Sequence, residues 1–122
     1  MTKVIVTNRA LDDLRAIRTY SVEEWGHTTA DKYLDAFDAA LQRLSEMPAL
    51  LREEPQIASR LHFYRVHKHF LVCDMIGETI YFLTVIHGSM DLPERLADLQ
   101  PTLALEVKLL HSKLVDLDDP PA

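Results

Sequence analysis

The hydrophobic period of this chain switches from helical to extended across the segment from Pro48 to Ser59, and that switch limits the folds open to it. Before the segment, Leu11, Leu14, Ile17, Arg18, Val22 and Trp25 recur at a spacing close to 3.6 residues. Such spacing predicts an amphipathic helix over residues 9–25, with Asn8 as its N-cap and Gly26 as its stop. A second stripe, Tyr33, Leu34, Phe37, Ala40, Leu41 and Leu44, predicts a helix from Thr28 or Thr29 to about residue 47, ended by Pro48. Two helices joined at a glycine make an antiparallel hairpin whose common apolar face needs a partner. Residues 48–59, with Pro48, Pro55 and the charged trio Arg52-Glu53-Glu54, read as loop. After them, residues 60–66, 69–76 and 79–87 are rich in β-branched and aromatic side chains. Gly77-Glu78 between the last two is a two-residue hairpin turn, and His67-Lys68 is the matching turn before it. With a β-branched run at residues 3–7, the sum is an α+β domain: a first strand and a helical hairpin packed on a mainly antiparallel sheet.

A third helical pattern follows. Leu103, Val107, Leu110, Leu114 and Leu117 repeat at spacings of 4, 3, 4 and 3. That is a narrow seam on a helix over residues 102–117, with Pro101 in its first turn. Asp91 is placed to cap a separate short helix starting near Pro93. The division expected is a domain over residues 1–99 and a C-terminal helical extension over 100–122 with an acidic, frayed end. The seam has three candidate partners: the chain's own sheet, a second copy, or another protein. Its a/d spacing leans toward another helix.

Charge narrows the function. Among 122 residues, 19 are acidic and 13 basic, net −6. A general nucleic-acid coat carries the opposite balance, so direct DNA binding is not expected. Residues 60–69 reverse the sign: Arg60, Arg65 and Lys68 stand with His62, His67 and His69 and no acid. They are the candidate anion-facing patch. Six histidines do not make a metal site here: His67 and His69 lie two apart near a turn, His62 is five residues before His67, and no carboxylate accompanies these three at helical i, i+4 spacing; no metal and no cofactor are expected. The single cysteine, Cys73, lies in an apolar run and reads as a small buried residue. Trp25 completes a helical stripe and reads as core, packed with Tyr33 and Phe37. The N-terminal apolar run is too short for a secretory signal, and no stretch reaches the roughly 18 apolar residues of a membrane span. A cytoplasmic protein is expected.

The pieces, taken in order, resemble the ParE branch of the RelE/ParE toxin superfamily. The resemblance is carried by Ala10-Leu11-Asp12-Asp13-Leu14 with Ile17 and Tyr20, then Glu24-Trp25-Gly26, then Ala30, Tyr33 and Phe37. Ala40-Leu41 and Leu44 precede Pro48, and Arg60, His69 and the ending Val85-Ile86-His87-Gly88-Ser89-Met90-Asp91 complete it. It spans residues 3–99. It implies a toxin of a toxin–antitoxin or plasmid-stabilisation module, with a microbial-ribonuclease-like fold. It further implies neutralisation by a ParD-like antitoxin and, in the ParE branch, DNA gyrase as the target. It makes Arg60, Arg65, His69, His87, Met90 and Asp91 the candidate target- or antitoxin-binding residues, while the a/d spacing of Leu103, Val107, Leu110, Leu114 and Leu117 makes them a docking seam. A homodimer or a toxin–antitoxin hetero-oligomer is the expected assembly. Thr84, Ser89 and Asp74 stand where family members usually carry basic residues, so weak toxicity is expected, raised by arginine at 84 and 89.

Two alternatives stay open at this level. A RelE-like ribosome-dependent ribonuclease needs a base, an acid and cations converging on one face, with Arg60, Arg65, His69, Tyr81 and His87 as the available set. Arg60 and Arg65 have opposite parity on a straight strand, which argues against convergence and for a non-enzymatic protein without catalytic residues. A decayed toxin that keeps only antitoxin binding is the other.

Overall fold

A computed structural model describes residues 2–54, 60–89 and 91–118, with residues 114–118 as backbone only. The chain runs β1 (Lys3–Val6), α1 (Asn8–Trp25), α2 (His27–Glu46), one 3-10 turn (Pro48–Leu50), β2 (Arg52–Glu53), β3 (His62–Val66), β4 (His69–Ile76), β5 (Thr79–His87) and α3 (Leu92–Asp118). The strands form one sheet in the order β1-β5-β4-β3-β2. β1 runs parallel to β5, and every other pair is antiparallel. This is the α+β architecture expected, with one strand more: Arg52–Glu53 pairs with His62 and Phe63, inside the segment read as loop.

Local chemistry sets the boundaries. Thr7, not Asn8, caps α1. Its buried hydroxyl accepts the Ala10 N–H at 3.1 Å and donates to the Leu83 carbonyl at 3.0 Å, so one side chain starts the helix and ties it to β5. Gly26 (φ 86°) separates α1 from α2 in a backbone conformation that glycine adopts without a Cβ penalty. The Gly26 N–H closes α1 on the Val22 carbonyl, and the Gly26 carbonyl accepts from Ala30 in α2. Both two-residue turns form where expected, with His67 and Gly77 at positive φ.

The sheet separates two apolar layers. On one face α1 and α2 cover Leu71, Cys73, Ile80 and Phe82 with Ala10, Phe37, Ala40 and Leu44. On the other, Phe63, Val72, Tyr81, Leu83 and Ile86 pack with Leu96, Leu103 and Val107 of α3. β5 is an interior strand between β1 and β4, and its side chains, like those of β4, feed both layers. Cys73 is fully buried, as its apolar setting implied, and burial pushes its thiol pKa up.

The C-terminal seam is therefore a correction. Leu103 and Val107 are buried, and Leu110 is partly buried, against the chain's own sheet rather than against another helix. Leu114 and Leu117 have side chains outside the described residues. Nor are there two helices: α3 is continuous from Leu92 to Asp118 with Pro101 inside it, so the boundary placed between 99 and 100 falls within one element. Asp91 caps this longer helix, its carboxylate accepting the Glu94 N–H at 3.2 Å. Among the described residues, no helix is long and apolar enough to cross a membrane.

Candidate functional site

The end of β5 meets the β3–β4 turn where the helical hairpin overhangs the sheet. Gly88 makes this junction close: its N–H donates to the Lys68 carbonyl at 2.7 Å, and a Cβ at 88 would lie 3.1 Å from both that oxygen and the Phe70 ring. His69 and His87 face each other across the register, their rings edge to face at 5.0 Å. The Tyr33 hydroxyl of α2 is 3.0 Å from His69 Nδ1, and the Tyr33 ring stacks on His67 at 4.3 Å and 13°. Burial lowers the His69 pKa, and the neighbouring His87 and His67 charges lower it further. Burial also raises that of Tyr33. At neutral pH both are uncharged.

Above this cluster opens a cleft of about 420 Å³ lined by Ile17, Tyr20, Ser21, Trp25, Lys68 and His87 among others. Trp25 is 52% exposed and Tyr20 59%, in edge-to-face contact at 6.2 Å. Trp25 is thus not core. It lies at the last position of α1, past the overlap with the sheet, and its ring leans on Tyr33 at 5.8 Å. A helical stripe specifies the face a residue occupies, but not whether the sheet still extends beneath it.

The candidates named from sequence divide between the two faces. His69 and His87 line the cleft on the hairpin side. Arg60 precedes β3 with φ 70° and lines a separate groove on the α3 side with Asp74, Lys108 and His111. The parity argument for it does not apply, because it is not in a strand. Arg65 sits opposite Phe70 in the ladder, its guanidinium 5.7 Å above that ring and bonded to the His67 carbonyl at 3.0 Å. Phe70 packs in the α3-side layer, so Arg65 belongs to that face too. Tyr81 also faces α3, its hydroxyl 3.0 Å from His111 Nδ1. Asp91 is the cap of α3, and Met90 lies outside the described residues. Lys68 belongs to the anion-facing patch read from sequence, whereas Tyr20, Trp25 and Ser21 are cleft residues that sequence reasoning did not name as binding candidates.

Thr84 explains one departure from the family pattern. It is 4% exposed, and its hydroxyl donates to the Asp13 carboxylate of α1, which also accepts the Val85 N–H at 3.1 Å. Position 84 is an internal link between α1 and β5, not a surface that a target touches. Ser89 is exposed. Its backbone N–H donates to His87 Nδ1 at 3.1 Å, so the neutral His87 ring carries its proton on Nε2.

A helical hairpin and a long C-terminal helix on opposite faces of a small mixed sheet, with the edge strand β1 parallel to its neighbour β5, define the class as an α+β protein of the ParE-toxin fold. A solved structure of the chromosomal ParDE TA system from P. aeruginosa shares that fold with a TM-score of 0.63 at 18% identity, covering 71% of this chain and 96% of that one. The Toxin ParE of Escherichia coli is 30% identical over 99 residues, 80% of this chain and 96% of the relative. The family model for the ParE toxin of type II toxin–antitoxin systems, parDE, matches residues 4–92. The chain belongs to the ParE toxin family.

Proposed function

We infer that this chain is a cytoplasmic toxin that acts by binding rather than by catalysis, with DNA gyrase as its target and a ParD-like antitoxin as its neutralising partner in a hetero-oligomer. Family membership over residues 4–92 is the observation that carries this reading. The ribonuclease set named from sequence is split between the two faces of the sheet, which counts against that catalytic arrangement. Ribonucleolysis needs an acid, a base and cations around one phosphate. Here His69 and His87 lie on one face of the sheet, whereas Arg60, Arg65 and Tyr81 lie on the other. Residues 100–122 are an extension beyond the family match, with the α3 seam sealing the domain instead of recruiting a partner.

The test is induction in a bacterial host with and without the antitoxin encoded beside the gene. Weak growth inhibition with gyrase-dependent DNA breaks, relieved by the antitoxin, is the expected result. Purified protein leaves mRNA intact in a translating extract. Codon-specific cleavage in that extract, lost in Arg60→Ala, replaces this reading with the ribonuclease.

A further inference from the structure

The cleft between α1, α2 and the β3–β4 turn has a charge character unlike the rest of the chain. The protein carries 19 acidic side chains against 13 basic, yet among the described residues the ionisable groups in this lining beyond its tyrosines are Lys68, His69 and His87. The carboxylate one helical turn before Ile17, that of Asp13, is already held by Thr84 and Val85. Hydrogen-bond donors dominate. His87 presents Nε2–H because Nδ1 accepts from Ser89. Ser21 is 1% exposed and lines the cleft, and its hydroxyl has no partner among the described residues. A buried hydroxyl left without a partner is costly, and a ligand oxygen satisfies it.

The aromatic wall indicates the shape of the occupant. Tyr20, Trp25 and Tyr33 meet at 87° and 47°, so they form a socket and not a pair of parallel plates. One face of Tyr33 is already stacked on His67. A nucleobase favours parallel faces, whereas a socket of tilted rings accepts a bulky side chain. Exposed Trp and Tyr at one spot are the composition of an interface anchor. A solvent-facing cluster of this kind is best accounted for by a stoichiometric partner that covers it.

We propose that this cleft anchors an acidic segment of the antitoxin: one large apolar side chain seats against Ile17, Tyr20 and Trp25, and an adjacent carboxylate meets Lys68, the His87 Nε2–H and the Ser21 hydroxyl. The proposal rests on the antitoxin reading above and names where and by what chemistry the partner is held. Its electrostatic part weakens with salt, and its apolar part does not.

The experiment is titration calorimetry of the full-length chain with the purified antitoxin, for wild type, Trp25→Ala, Lys68→Glu and the exposed control Met47→Ala. All three substitutions are at exposed positions, and far-UV circular dichroism confirms that each variant is folded. Trp25→Ala is expected to weaken binding by about 30-fold or more, the scale of an interface hot spot. Lys68→Glu is expected to weaken it by about tenfold at low salt and by less at 0.5 M salt. Met47→Ala binds as wild type. Tight binding that neither Trp25→Ala nor Lys68→Glu alters places the anchor elsewhere and overturns the proposal while leaving the function intact. If wild type does not bind the antitoxin, the function reading itself fails. If both variants keep the antitoxin but lose the effect on gyrase, the cleft serves the target and the proposal is wrong.

Discussion

The short reach of a hydroxyl decides the role of position 84. The Thr84 Oγ donates to a carboxylate that also accepts the Val85 N–H, in a partly buried seam between α1 and β5. Thr84→Val keeps the shape and removes the donor, so urea unfolding is expected to show a loss of about 1–3 kcal/mol. Thr84→Arg places its guanidinium against Asp13, and growth assays without antitoxin are expected to show no gain in toxicity from it. Ser89→Arg is exposed and free to reach a target, so any gain in the double variant comes from position 89. The imidazoles give a second residue-scale expectation. The His69 pKa is lowered in the folded state by burial and by the facing His87 and His67, with Tyr33 and Lys68 beside it. The unfolded chain therefore binds more protons between the folded value and the ordinary 6.5. Stability from this site is complete above that ordinary value and falls as pH drops through it toward the folded value. His69→Gln removes this titration, so the wild-type-minus-variant difference in unfolding free energy should shrink from pH 7.5 to pH 5.5. A difference that is flat across that range contradicts the cluster as drawn.

Secondary elements were legible where their periodicity was long. The stripe of α1 repeats over about four turns and that of α2 over about three, and the strands after residue 60 are β-branched and aromatic runs bounded by turn signals, so the hairpin layer and both hairpin turns follow from the sequence, whereas the layer under α3 does not. The misreadings share a physical cause: a local signal was outweighed by tertiary contact. β2 has only two residues and exists because β3 offers an edge. Asn8 is a good cap by composition, but Thr7 also reaches Leu83 across the fold. Pro101 marks a helix start by local rules, yet α3 runs through it because Leu96 before it and Leu103 after it are both fully buried on the same sheet face. The site was legible only in part for the same reason. His69 and His87 stood out by residue type, but Trp25 needed the sheet boundary to be seen as exposed. A proline inside a helix costs about 3 kcal/mol relative to alanine, and burial of the flanking leucines offsets that here. Pro101→Ala is therefore expected to raise stability by about 1–3 kcal/mol in urea, without changing the circular dichroism of the folded protein. A loss of stability instead would mean that the proline sets a bend that the docking of α3 requires.

At the scale of the whole molecule, β5 couples the two apolar layers, and α3 closes the one that the helical hairpin cannot reach. Phe82 packs under α1 and α2 while Tyr81 and Leu83 pack under α3, so neither layer is independent of the other. Arg9 of α1 and Glu106 of α3 are paired at 3.1 Å, which ties the two helices across the molecule. That pair is partly exposed and adds little on its own. Burial supplies most of the docking energy of α3. Leu103 is fully buried, so Leu103→Ala should cost about 2–5 kcal/mol. Truncation before residue 101 removes Leu103 and Val107 together and uncovers the sheet around Leu61, Tyr81 and Leu83. An apolar sheet face bared in this way is prone to association. The chain ending at residue 100 is therefore expected to be insoluble or to unfold at much lower urea than the full chain, with both layers lost in one transition. Tryptophan fluorescence from Trp25, on the face opposite α3, is the probe of choice, because it responds only if loss of the far layer propagates through β5. A soluble, monomeric remainder with an unchanged Trp25 transition would show that α3 is a passive extension and that the hairpin layer holds the sheet alone.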